Sequence, residues 1–498
     1  MIVPETTASD VPEQVRVRRQ KYDRLVAAGT PPYSLGYPRS ATLAQLRERF
    51  EDLPMDTASG EVVSIAGRVV LSRAGGKLCF ATVQQGEAQL QVMVSLAGVG
   101  PERLREWKAD VDLGDHVGVT GELISSRRGE LSVLASHWTL TSKALRPLPD
   151  KHHGLTDPEA RVRQRYVDLI VNASSRAVAR ERATVLHSLR DLLHRLDYLE
   201  VETPMLQAVH GGAAARPFQT HVNALDLDVS LRIAIELYLK RLVVGGLEKV
   251  YEIGKTFRNE GIDSTHFPEF TMLEAYEAYA DYDVMATLTR DLVLCAARAL
   301  GRTVVPDGRG GQIDLEAPWR HATLYGLVGA AVGEIVDPGT PLTHLQQLAK
   351  AHDVALQPDW DAGEVALELY EKLVEHTLLQ PTFVRDYPVS VRPLARPHRD
   401  DPRLSEAWDL IAGGVELAVA YSELVDPVEQ RRRLTEQSLR AAGGDPEAMA
   451  LDEDFLRALE HGLPPTGGMG MGIDRLVMLL TGLPIRDTIL FPLVRPES

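Results

Sequence analysis

The sequence predicts an α+β protein: a small β-barrel on the N-terminal side, then a larger domain that mixes strands and helices. Three observations lead to this reading. From Glu61 to about Leu140, short stretches alternate apolar and polar residues with the period of two that puts every second side chain on one face of a strand. From Val178 to Leu196 the apolar residues recur at helical spacing instead. The stretch VYEIGKTFRNEGIDSTHFPEFTMLEAY, Val250 to Tyr276, reads as two strands joined by a polar loop. At 498 residues the chain is too long for one ordinary core, so two or more domains are expected.

Composition narrows the class. Charged residues at 25% and apolar residues at 44% are the proportions of a soluble globular protein. No run of eighteen apolar residues exists, so no membrane span is expected. The opening MIVPETTASD lacks the basic and apolar regions of a signal peptide, and a cytoplasmic location is expected. Cys79 and Cys295 are the only cysteines, which excludes a disulfide framework and a cysteine-rich zinc site. The net charge of −16 argues against a generic DNA binder. It leaves RNA recognition open, because binding needs a local basic surface rather than a basic whole.

Taken in order, residues 11 to 28 read as a helix carrying Arg16, Arg18, Arg19, Lys21 and Arg24, and a solvated charged face is its ordinary reading. Three alternating sets follow: Val63, Ile65, Val69 and Leu71; Leu90, Val92 and Val94; Val117 and Val119. Gly and charged turns separate them, and a five-stranded OB-fold is the usual closed barrel of this size. Such barrels commonly hold single-stranded nucleic acid by stacking bases on aromatics. Residues 141 to 154 have the proline and polar content of a linker, and its pair His152 and His153, with no carboxylate or cysteine at ligand spacing, reads as surface.

The larger domain opens with the 178–196 helix, which gives way to YLEVETPML. HGGAAARPFQT, residues 210 to 220, is a loop that lets backbone approach a ligand closely. At the centre, Arg258 and Glu260 are expected on one face at the end of a strand, and Phe270, Met272, Glu274 and Tyr276 on one face of the next. An arginine, an aromatic ring and carboxylates on one face make a costly core but can grip a phosphate, a flat base and a cation. Residues 283 to 300 and 342 to 378 read as amphipathic helices. WDLIAGGVELAVAYSELVDP reads as a strand pair, with Val419, Tyr421 and Glu423 on one face, and GGMGMGIDRLVMLLTG as a glycine turn leading into a helix.

The 250–276 stretch resembles motif 2 of the class II aminoacyl-tRNA synthetases. From about Val15 to Pro496 the chain is similar to the lysyl-tRNA synthetases of subclass IIb, in an actinobacterial-type, divergent form. The 178–204 segment resembles motif 1, the family's dimer element, and the 467–482 segment resembles motif 3. The resemblance implies an N-terminal helix and OB-fold anticodon-binding domain over 1–145, a linker over 146–155, and a catalytic domain over 156–498. That domain would be built on an antiparallel sheet flanked by helices, with a helical insertion near 338–380. The basic helix near the N-terminus then gains a second reading, as a contact to the tRNA backbone. SRAGGKLCFATV, QLQVMV and RRGELSV match the family's anticodon domain, which assigns Arg73, Phe80, Gln91 and Glu130 to the anticodon.

The implied reaction activates L-lysine with ATP and transfers it to tRNA(Lys), in a homodimer without membrane attachment. Arg258 and Arg475 take the catalytic roles. Glu260 and Phe270 would hold adenine, while His266 and Arg475 would neutralise the outer phosphates. Gly212, Glu236, Arg258, Glu274, Tyr276, Tyr421 and Glu423 would bind lysine. Asp409 and Glu416 would carry Mg²⁺, and no zinc is expected. Several positions depart from the family pattern. Ile235 stands where proline is usual, Asp409 where glutamate is usual, Ser390 and Arg392 where glutamate and serine are usual. Val419 replaces an asparagine that holds the substrate carboxylate; a lost hydrogen bond of this kind costs about 1–3 kcal/mol, so weaker lysine affinity is expected. Two other readings are a paralogue that lysylates a non-tRNA acceptor and a catalytically silent RNA-binding regulator. The retained barrel argues against the first, and retained Arg258, Glu260 and Arg475 against the second.

Overall fold

The computed structural model describes residues 12–149, 154–442 and 449–495, so the pair His152 and His153 lies outside the described residues. The chain divides into two compact units, Met1–Ala173 and Ser174–Ser498.

In the first unit, α1 (Glu13–Ala27) and α2 (Leu43–Arg49) precede strands β1 (Thr57–Ala74), β2 (Leu78–Gln85) and β3 (Ala88–Ser95), helix α3 (Leu96–Asp110), and strands β4 (His116–Ser125) and β5 (Leu131–Ser142). The strands close in the order β1-β2-β3-β5-β4, with β4 returning to β1. Their alternation is the one expected: Val63, Ile65, Val92, Val94 and Val119 point inward and are buried. Leu71 departs from it. The β1–β2 register shifts between Val69 and Leu71, and the extra residue of such a bulge turns the next side chains over, leaving Leu71 half-exposed.

Helix α1 corrects the reading of a wholly solvated face. Arg16 and Arg19 are exposed, but Arg18 is buried and donates to the carbonyls of Leu113 at 2.8 Å and Ala144 at 2.9 Å. Lys21 pairs with Asp112 at 2.7 Å, and Arg24 with Asp110. Three of the five cations are thus committed to docking the helix on the barrel.

In the second unit an eight-stranded sheet is built from β6 (Leu199–Glu200), β7 (Lys249–Phe257), β8 (Glu269–Ala278), β9 (Arg320–Thr323), β10 (Thr382–Pro388), β11 (Leu404–Ala412), β12 (Val415–Ser422) and β13 (Thr466–Gly472). Its order is β9-β10-β11-β12-β13-β8-β7-β6. The two edge pairings are parallel and all those between β10 and β7 antiparallel. Helices α4 (Ala173–Arg195), α5 (Glu236–Val244), α6 (Tyr282–Ala299), α7 (Leu324–Val332), α8 (Leu342–Ala351), α9 (Ala362–Leu373), α10 (Pro427–Ala442), α11 (Glu453–Glu460) and α12 (Ile473–Thr481) surround it. The main core joins Val185, Leu189 and Leu193 of α4, Leu292 of α6 and Leu476 of α12 to Trp408, Met469 and Met471 of the sheet.

Two local readings are corrected. GGMGMG is not a turn but strand β13, with Met469 and Met471 directed into the core. Its alternate glycines leave room for neighbours: a Cβ on Gly468 would lie 2.0 Å from Glu423 Oε1 and 2.4 Å from Tyr276 Cε1. Arg258 and Glu260 do not share a strand face, because β7 ends at Phe257 and Glu260 N donates back to Arg258 O at 2.9 Å in a tight turn.

Candidate functional site

Strand β13 is the floor of a cavity of about 350 Å³, and its two neighbours are the walls. In register, Gly470 faces Glu274 of β8 and Val419 of β12, and Gly468 faces Tyr276 and Tyr421. A period of two therefore delivers Phe270, Met272, Glu274 and Tyr276 from one side and Val419 and Tyr421 from the other, with Glu423 just beyond β12. Gly212 lines the open side at φ +88°, and a Cβ there would come within 3.2 Å of Glu236 Cβ. Arg258, Glu260, His266, Glu416 and Arg475 line the same cavity.

One end is acidic and buried. Glu274 accepts from Ile235 N at 3.0 Å and from the Tyr276 hydroxyl at 3.3 Å. Burial, and then the charge of Glu236, pushes its carboxyl up to about 7. Ile235 thus supplies a backbone donor to Glu274, one that a proline there could not. Glu236 and Glu423 share one cation that sequence reasoning missed, Lys240, whose Nζ lies 2.5 Å from each. Lys240 is fully buried, and the two carboxylates raise its affinity for the proton above that of a free lysine. Burial raises the Glu423 carboxyl, opposed by Lys240, and its Oε1 has no partner among the described residues. Glu236 and Lys240 look like an ordinary i,i+4 surface pair; only the tertiary arrival of Glu423 makes them an interior group.

The other end is cationic and more open. The Arg258 guanidinium lies 5.2 Å from the Phe270 ring centroid, and burial lowers its affinity for the proton. His266 is exposed on the β7–β8 loop, held by Asp263 at 2.9 Å and touching Arg475 Nη2 through Nε2 at 3.1 Å. Arg475 in turn donates to the Glu416 carbonyl at 2.7 Å and to its Oε1 at 3.2 Å. Arg182 of α4 and Asp474 of α12 brace this end: Asp474 accepts from Arg182 at 2.6 Å and from Thr271 N at 2.7 Å.

Asp409 stands apart from the other expected site residues. It does not line the cavity; Arg392 does, and Arg392 Nη2 lies 2.5 Å from Asp409 Oδ2. Among the described residues no group of three or more metal-ligating side chains converges. The residues present nevertheless fit Mg²⁺, which needs only one or two carboxylates beside phosphate and water. Glu416 faces the cavity, Asp409 Oδ1 is a buried acceptor without a hydrogen-bond partner among the described residues, and nearby Glu375 is pushed to about 7 by burial and by the charge of Glu416.

In the barrel unit, Arg73 and Phe80 are cross-strand partners, as are Thr82 and Gln91. Phe80 is half-buried on the outer face, while its neighbours Cys79 and Ala81 fill the interior. Gln91 donates to Ser132 Oγ at 2.8 Å, and Glu130 is exposed and paired with Arg47 at 3.0 Å. Arg73, Phe80 and Gln91 therefore share one outer surface, with Glu130 close to its edge.

Residues 157–495 match the family described as tRNA synthetases class II (D, K and N), and residues 63–141 match the OB-fold nucleic acid binding domain. The chain is 55% identical to the lysine–tRNA ligase of Mycolicibacterium gilvum over 98% of each, and 53% identical to lysine–tRNA ligase 1 of Mycobacterium tuberculosis over 99% of each. It is also 52% identical to the lysylphosphatidylglycerol biosynthesis bifunctional protein of Rhodococcus jostii, over all of this chain but 44% of that protein. On these grounds the chain belongs to the class II tRNA synthetases of the D, K and N group.

Proposed function

We propose that this chain is a lysine–tRNA ligase, joining L-lysine to the 3′ end of tRNA(Lys) at the expense of ATP. The observation that supports it most is the charge of the buried end. Three buried carboxylates, Glu236, Glu274 and Glu423, line this end, and its internal cation, Lys240, pairs with two of them, Glu236 and Glu423. Such a pocket has the complement for a ligand with two ammonium groups. Glu236 and Glu274 would take the α-ammonium, and Glu423 with Tyr276 and Tyr421 the ε-ammonium. A neutral side chain would leave a buried carboxylate unpaired, and that asymmetry gives discrimination. An aspartate side chain finds no uncommitted cation among the described residues at this end, because Lys240 is already paired with Glu236 and Glu423.

In the first step a lysine carboxylate oxygen attacks the α-phosphorus, a new P–O bond forms, and the bond to pyrophosphate breaks. The work is positioning and charge neutralisation, without a protein nucleophile. Arg258 would hold the carboxylate and α-phosphate together with a planar fork suited to two oxyanions. Phe270 would stack on adenine and Glu260 accept from its amino group; His266 and Arg475 would neutralise the outer phosphates. Glu416 and Asp409, the latter through Oδ1, would hold Mg²⁺, which would supply charge neutralisation for the phosphates when bound. In the second step a ribose hydroxyl of the terminal adenosine attacks the lysyl carbonyl and AMP leaves.

Arg73, Phe80, Gln91 and Glu130 would read the anticodon, Phe80 by stacking. A homodimer is supported by the exposed apolar side chains Leu196, Leu199, Met205 and Leu206 beyond α4. No described helix is long and apolar enough to cross a membrane, and a cytoplasmic site of action is part of the proposal. The test is ATP–pyrophosphate exchange across the standard amino acids, with and without tRNA. Exchange with lysine alone, independent of tRNA, is the expected result. Silence with lysine, or a response to another amino acid, overturns the reading.

A further inference from the structure

One guanidinium of the cavity has no role in the scheme above. Arg392 lines both the main cavity and a second one of about 310 Å³ that adjoins it at Gly212, Glu236 and Tyr421. It is held on two sides: Nη2 pairs with Asp409 Oδ2 at 2.5 Å, and its Cζ lies 4.2 Å from the Tyr387 ring centroid. Its side chain keeps only 19% of its exposure. Nε is buried with no partner, and Asp409 is the one side-chain acceptor it has among the described residues. A guanidinium carries five donors in a fixed plane, so a single carboxylate oxygen leaves most of its capacity unused. Asp409 is the cross-strand partner of Val419, an apolar residue on the same cavity wall that offers an oxyanion nothing.

We propose that Arg392 is the third oxyanion-binding guanidinium of this site, beside Arg258 and Arg475, with Asp409 as the group that orients it. Its ligand is an oxyanion of the amino-acid carboxylate or of the α-phosphate, the two groups that the proposed reaction brings together in the cavity that Arg392 and Val419 both line. The planar fork braced by Asp409 and Tyr387 enters the reaction already desolvated, so binding an oxyanion costs it little further dehydration. This replaces the expectation that Val419 weakens lysine binding: the missing hydrogen bond is supplied from Arg392. The proposal rests on the ligase reading and deepens it.

The test measures binding of lysine alone and of MgATP alone to the full chain by calorimetry, in the wild type, R392Q, R392K and R392M/D409N. The double variant removes both charges together, so it stays informative if R392Q is destabilised by an unpaired Asp409. Loss of a charge-assisted contact corresponds to about 10- to 100-fold in affinity. A loss of that size for lysine, with MgATP unchanged, identifies the carboxylate; the reverse in R392Q identifies the α-phosphate. R392K is expected between wild type and R392Q. Lysine and MgATP binding R392Q as tightly as wild type, with lysine also unaffected in the double variant, overturns the proposal and leaves Arg392 a counter-ion for Asp409. A wild-type chain that binds no lysine overturns the ligase reading first, and this proposal with it.

Discussion

The two ends of the cavity are built differently. At the amino-acid end the groups are buried, come from rigid elements, and are already bound to one another: Glu274 to Ile235 N, Glu236 and Glu423 to Lys240. At the nucleotide end Glu260 and His266 are exposed on a loop, and His266 and Arg475 lean on each other. A prebuilt pocket discriminates, because a poor ligand leaves its charges unpaired. A looser set of cations can close around a polyphosphate that itself supplies the missing charge. Specificity and capture of the nucleotide are thereby assigned to opposite ends of one cavity.

The largest effect that would break this contrast is expected from Lys240→Met. Removing one partner from a buried ion pair costs about 3–5 kcal/mol, so denaturant unfolding should show a loss of that order. Lysine KM should rise steeply in exchange assays while the KM for ATP stays near wild type. Equal rises in both would mean the two ends are not separable.

Gly468→Ala comes next. Its Cβ would meet Glu423 and the Tyr276 ring, whereas a Cβ on Gly472 meets nothing closer than 3.6 Å. Lysine KM is expected to rise more than tenfold in the first and to change little in the second, measured side by side. The contrast matters because both glycines belong to one strand.

How much of this was legible in the sequence differs between these residues. The faces of β8 and β12 were readable, since a period of two alone puts Glu274 with Tyr276 and Val419 with Tyr421. The glycines of β13 read as a turn, because their reason is the volume of side chains on neighbouring strands. Lys240 and the Arg392–Asp409 pair were invisible for the same physical cause. Glu236 stands at i,i+4 from Lys240, but Glu423, which makes that pair an interior group, arrives from another element, as Asp409 does for Arg392, and spacing along the chain carries no trace of either. Arg18 likewise sits in a run that looks solvated, yet it is buried against backbone carbonyls.

A smaller effect is expected from pH. Glu274 titrates near 7 in the folded chain against an ordinary 4.5, and its protonated form is the one burial favours. Its contribution to stability is therefore full below about pH 4.5 and is lost as pH rises through 7. Lysine supplies the cation that the ionised form lacks. The increase in melting temperature on adding lysine should grow between pH 6 and pH 8, and a shift that shrinks over that range would contradict the buried-carboxylate account.

The smallest effect on amino-acid activation is expected in the barrel. Phe80→Ala should leave tRNA-independent exchange unchanged, while the KM for tRNA(Lys) rises about 5- to 100-fold if a base stacks there. An unchanged KM for tRNA would remove Phe80 from the anticodon surface.

The most direct test of a prebuilt amino-acid end is calorimetric titration of the free chain with lysine and with norleucine, which keeps the four side-chain carbons and lacks the ε-ammonium, in the absence of ATP and tRNA. One lysine should bind per chain and norleucine should not bind detectably. Lysine that binds only once ATP is present, or norleucine that binds as well as lysine, would contradict the account.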